Sequence, residues 1–80
     1  MKIDIQERAY KDLLKIDENQ RKKILKAIKN LENYPNVPNI KKLKNFQPNY
    51  RLRVGDYRVL FDIENNTIIV VNIKHRKKAY

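Results

Sequence analysis

The 80-residue chain has no cysteine, no tryptophan, one glycine and one histidine. Without cysteine there is neither a disulfide framework nor a thiolate zinc site. A single histidine argues against a dedicated transition-metal site. The lone glycine, Gly55, leaves no glycine-rich loop to cradle a phosphate. The longest apolar run is Ile68-Ile69-Val70-Val71, far short of the ~20 residues of a membrane span. The first ten residues carry charge where an export signal needs its apolar stretch. These absences lead us to expect one small domain, residues 1–80, cytoplasmic, off the membrane, and without a bound cofactor or metal. A chain this short buries only about 60% of the surface its unfolded form exposes, enough for one thin core.

What is present is positive charge. Nineteen Lys and Arg stand against nine Asp and Glu, a net charge of +10. Residues 1–40 hold nine basic and six acidic residues, whereas residues 41–80 hold ten and three. An excess gathered in one half is the electrostatic footprint of a polyanion binder. Nucleic acid ranks first, an acidic protein segment second and a membrane surface third.

The hydrophobic period divides the chain. Lys2-Ile3-Asp4-Ile5 alternates as a short strand. Ala9, Leu13 and Ile16, with Tyr10 and Leu14 alongside, then form one helical face. Asp17 is a candidate N-cap, with Gln20 in the capping-box position. It opens a second helix striped by Ile24, Ile28, Leu31 and Tyr34. Lys22, Lys23, Lys26 and Lys29 fall mostly outside that stripe and read as a solvated face. Pro35 and Pro38 end the helix. The basic segment Lys41-Lys42-Leu43-Lys44 and a turn around Pro48 follow. From Tyr50 the period is two, interrupted at Gly55-Asp56 and Asn65-Asn66. The expected class is α+β: an N-terminal strand, a helical hairpin, and a three-stranded antiparallel meander with the helices on one face.

A two-residue turn at Gly55-Asp56 pairs Val54 with Tyr57, Arg53 with Arg58 and Arg51 with Leu60. Tyr50, Leu52, Val54, Tyr57, Val59, Phe61, Ile63, Ile68 and Val70 then share the face for the helices. Arg51, Arg53, Arg58 and Asp62 share the other with Leu60, Ile69, Val71 and Ile73, and strict alternation adds His75. Like charges directly opposed on a sheet cost stability. Three guanidinium groups on a half-apolar face therefore read as a receptor for phosphate, which arginine binds bidentately. The same face, with Leu60, Ile69, Val71 and Ile73 exposed, would suit an acidic amphipathic partner. His75 is the one side chain whose unperturbed pKa lies near neutrality, and the chain closes on the basic run Arg76-Lys77-Lys78-Ala79-Tyr80.

Tyr50-Arg51-Leu52-Arg53-Val54-Gly55-Asp56-Tyr57-Arg58-Val59-Leu60-Phe61, the helical Ala9-Tyr10-Lys11-Asp12-Leu13-Leu14-Lys15 and the ending His75-Arg76-Lys77-Lys78-Ala79-Tyr80 resemble the RelE/ParE toxin superfamily, RelE-like branch. The resemblance implies the toxin of a type II toxin–antitoxin pair, an endoribonuclease that cuts mRNA in the ribosomal A site. The implied reaction is metal-free attack of a ribose 2′-OH on the adjacent phosphate. The implied partners are mRNA, the ribosome and a RelB-like antitoxin wrapping the basic face. Carried over by position, Arg58 and Arg76 match the family's catalytic arginines and Tyr80 its C-terminal tyrosine. Arg51 and Arg53 fall at its basic phosphate-binding positions, where some members have lysine. Arginine does not give up its proton, so these two hold phosphate and do not act as bases. Arg53 and Arg58 are expected to meet the transition-state charge and Arg51 to position the backbone, with Lys41, Lys42, Lys44 and Lys77 as further contacts. His75, Tyr80 and Arg76 are the candidates for acid and base. The alternatives are a ParE-like inhibitor of DNA gyrase and a non-catalytic RNA- or ribosome-binding module.

Overall fold

Each change of hydrophobic period in the sequence coincides with a change of element. The computed structural model, which describes residues 1–76, runs β1 (Lys2–Ile5), α1 (Glu7–Leu14), α2 (Glu18–Asn30), a single 3-10 turn (Leu31–Asn33), β2 (Ile40–Lys42), β3 (Tyr50–Val54), β4 (Tyr57–Glu64) and β5 (Thr67–His75). The strands form one sheet in the order β1-β5-β4-β3-β2. β2 to β5 are antiparallel neighbours in sequence, and β1 joins β5 in parallel. The meander therefore has one strand more than its periodicity suggests. Ile40–Lys42 is too short to show a period and becomes a strand by pairing with β3. Both edge strands are short and carry lysine, which discourages pairing with other chains.

With one glycine in the chain, asparagine takes most of the left-handed turn positions. Gly55 (φ +58°) opens the β3–β4 turn, and Asn65 and Asn66 (φ 48° and 58°) make the β4–β5 turn. Asn39 and Asn45 adopt the same region at the ends of the β2 segment. Asparagine tolerates this conformation because its short polar side chain bonds locally.

The helices cover one face of the sheet. Asp17 caps α2, its carboxylate accepting from the Asn19 N–H at 3.1 Å. Arg21 binds the helical pair at its corner, donating to the Leu13 and Ile16 carbonyls. Ala9 and Leu13 of α1 and Ile24, Ile28 and Leu31 of α2 and the 3-10 turn pack with Leu52, Val59, Phe61, Ile68, Val70 and Ile73. Each large apolar side chain so buried contributes roughly 1.5–3 kcal/mol. Tyr10 and Leu14, which the sequence groups with the inner face of α1, are exposed, because the contact stripe on this eight-residue helix is only one residue wide per turn.

β5 departs from strict alternation. Phe61 pairs with Val70 but Leu60 pairs with Asn72, so Val71 is an extra, bulged residue. Without the bulge Asn72 would stand beside Val59 in the core and Ile73 beside Arg58. With it, Ile73 pairs with Val59 and is buried in the core cluster. The Asp12 carboxylate of α1 accepts from the Ile73 N–H at 2.9 Å, just beyond the point where β1 stops pairing. The expectation that Ile73 is exposed on the arginine face is thus corrected: the bulge sets an isoleucine rather than an amide against Val59 in the apolar core, and Asn72 is buried beside Leu60 on the opposite face.

Candidate functional site

The hairpin register builds the site. On the face away from the helices, Arg53, Arg58 and Lys74 form one row across β3, β4 and β5. The next row is Lys41, Arg51, Leu60 and Asn72, running from β2 to β5. Five cations from four strands therefore occupy two adjacent rungs. Between Glu32 and Asp56 the sequence has no acidic residue. Asp62 shares this face, and its carboxylate accepts from the Asn49 N–H at 2.7 Å, which ties down the β2–β3 loop.

Burial varies within the cluster. Arg53 is exposed, while Arg51 and Arg58 are half-buried. Among the described residues the Arg51 Nε is buried and has no hydrogen-bond partner. A buried donor without an acceptor costs about 1–3 kcal/mol, and such a group inside a cationic cluster is ready to receive an anion's oxygen. Leu60, 6% exposed, is a buried apolar residue outside the core cluster. Arg58 and Asp62 flank it along its strand, and Arg51 and Asn72 flank it across the sheet. Leu60 supplies the rows with an apolar floor and is not the exposed side chain expected from sequence.

Several expected residues lie elsewhere. His75 pairs with Tyr57, on the side of the sheet that the helices cover, and meets the Tyr57 ring edge-on at 5.1 Å. Together with Asp12, Lys15 and Ile16 it lines a cleft of about 370 Å³ beside α1. The Val71 bulge causes this reversal of the expected placement on the arginine face. It also brings Lys74 onto the arginine face, a position that sequence reasoning missed. The break in apolar spacing at Asn72 was the available signal. Lys42 is likewise off the cluster: it pairs with Tyr50, and its Nζ sits 5.9 Å from that ring's centroid. Lys44 is exposed in the following loop. Arg76 is exposed, and its N–H donates to the Asp56 carbonyl at 2.7 Å, which holds its backbone beside the β3–β4 turn. Lys77 and Tyr80 lie outside the described residues.

On the helix-covered face, an aromatic group secures the start of β3. Tyr50 stacks on Phe61 at 5.4 Å and meets Tyr34 edge-on at 6.1 Å. Burial, then the adjacent Tyr50, raises the pKa of Tyr34 above that of an ordinary tyrosine. Among the described residues no group of three or more His, Cys, Asp and Glu is placed to hold a metal, and no helix is long and apolar enough to cross a membrane.

The model of the family described as "ParE toxin of type II toxin-antitoxin system, parDE" matches residues 3–80. The chain belongs to this toxin family. Within the wider RelE/ParE superfamily, its fold matches the RelB–RelE antitoxin–toxin complex of Methanococcus jannaschii at 31% identity and a TM-score of 0.79, covering 96% of this chain and 94% of that one. The archaeal RelE–RelB complex from Pyrococcus horikoshii matches at 27% identity and 0.77, over 98% and 97% of the two chains. The isolated Escherichia coli RelE toxin, at 18% identity and 0.78 over 98% and 86%, shares the fold. In sequence, the toxin RelE3 of Methanocaldococcus jannaschii is 40% identical over 37 residues, a segment spanning 46% of this chain and 42% of that protein. The RelE/ParE resemblance and the α+β architecture are both borne out.

Proposed function

We propose that this toxin is a ribosome-dependent endoribonuclease that cleaves mRNA in the A site. The supporting observation is the pair of cationic rows formed by Arg53, Arg58 and Lys74 with Arg51 and Lys41. In the reaction, a ribose 2′ oxygen bonds to the adjacent phosphorus and the bond from phosphorus to the 5′ oxygen breaks. The 2′ proton leaves to a base, and an acid returns a proton to the departing oxygen. Negative charge grows on the non-bridging oxygens in between. Arg53 and Arg58 meet that charge and Arg51 holds the backbone; one preorganised donor of this kind is worth about 2.7–4 kcal/mol. By their resemblance to the family pattern, Tyr80 takes a proton-transfer role and Arg76, which keeps its proton, sets a positive charge beside the departing oxygen. His75 is less suited, because it faces the helices.

The partner that restrains this toxin is, in this proposal, a RelB-like antitoxin covering the basic face, as the names of the solved RelB–RelE complexes suggest. Its apolar footing is Ile69 and Val71, both half-buried, since Leu60 and Ile73 are buried. Translation of a reporter mRNA with wild-type protein beside Arg58→Ala, read by primer extension, tests the nuclease reading. Cuts within codons that need ribosomes and vanish in the variant are expected. The match to the ParE family favours a second reading, inhibition of DNA gyrase. Intact mRNA together with inhibited supercoiling would establish it instead.

A further inference from the structure

Phe46 is 42% exposed, at the far end of the arginine track. It lies in the loop between β2 and β3, whose base is clamped. The Leu43 N–H donates to the Asn49 carbonyl at 2.6 Å, and the Asn49 N–H donates to Asp62 at 2.7 Å. Pro48 is buried and Asn45 is left-handed. The loop therefore has a defined path and still presents a phenyl ring to solvent.

The loop that carries that ring favours RNA over an acidic protein segment. Lys42, Leu43, Lys44, Asn45 and Asn49 line a groove of about 500 Å³ in the same loop. Phe46 belongs to the same loop without lining that groove, and a loop that carries both lysines and an exposed aromatic has the composition of single-strand binding surfaces, where bases stack and lysines follow the backbone. The amides of Asn45, Gln47 and Asn49 are donors and acceptors suited to base edges. Geometry connects the loop to the arginines. Arg53 and Arg51 are alternate positions of β3, ~7 Å apart, and Asn49 immediately precedes that strand. A strand whose phosphate lies on Arg53 and Arg58 and whose backbone follows Arg51 and Lys41 runs toward Phe46.

We infer that Phe46 is a stacking platform for a base flanking the cleaved phosphate, with Lys44 and the loop amides forming the rest of that subsite. The inference rests on the RNA-cleaving reading, and its test is separable from it. The chain has no tryptophan, so Phe46→Trp installs a sole tryptophan at the site, excited apart from the five tyrosines at long wavelength. Adding a twelve-nucleotide single-stranded RNA at low salt should quench its emission, whereas inorganic polyphosphate, carrying charge without bases, should not. Phe46→Leu should weaken RNA binding by about 5- to 100-fold, the scale of one base–aromatic stack, and Phe46→Tyr should restore it. Equal quenching by polyphosphate, unquenched emission with RNA bound, no RNA binding at all, or a response to antitoxin alone would each overturn the inference. Quenching that persists in a protein unable to cut mRNA would sink the nuclease reading and leave the base platform standing.

Discussion

Arg53 on β3 stands directly opposite Arg58 on β4, two guanidinium-bearing side chains on the same rung and the same face. Lys74 completes that rung from β5. No local preference of the sheet favours this arrangement, since like charges placed opposite one another destabilise a strand pair.

Replacing Arg53 by glutamine should therefore raise stability while lowering activity. The gain should be about 0.2–1 kcal/mol, the scale of a cross-strand pair, read as a higher denaturant midpoint at unchanged slope. Cleavage in a translation extract should fall by about 100-fold or more, as for loss of one transition-state donor. A variant both less stable and fully active would show that the arginines are structural.

His75 should be dispensable for cleavage. A general acid or base contributes about 10²–10⁴-fold, yet His75 meets Tyr57 on the helix-covered side. His75→Gln is expected to cut at the wild-type positions with far less than a tenfold loss. A drop of a hundredfold or more would return His75 to the site.

Ile73→Ala measures the bulge. In the core beside Val59, this truncation should cost about 2–5 kcal/mol. On an unbulged strand the same side chain would face the arginines, and the cost in urea unfolding would be only a fraction of that.

Tyr34 contributes to the loss of stability at alkaline pH. Its pKa is raised in the folded protein, by burial first and then by Tyr50, so the unfolded chain releases this proton at lower pH than the folded one. The associated stability is complete below ~10, the unfolded value, and is lost as pH rises through the raised folded value. Tyr34→Phe should flatten the decline above pH ~10; an unchanged slope in paired denaturation series would contradict this origin.

Period-two alternation and turn chemistry are properties of neighbouring residues. The sequence by itself therefore determined the β3–β4 hairpin, the opposition of Arg53 and Arg58, the apolar stripes of Ala9–Leu13 and Ile24–Ile28–Leu31, and the family. The position of a bulge and the pairing of a three-residue strand depend on contacts between distant segments. Ile73 leaves the arginine face because the Asn65–Asn66 turn fixes one end of β5 while Val59, and Asp12 from sixty-one residues away, fix the other. Lys41 joins the site and Lys42 leaves it because Ile40–Lys42 is placed by β3 and by no period of its own. The tertiary structure decided these assignments, since a shift of one residue in register exchanges the two faces of a strand.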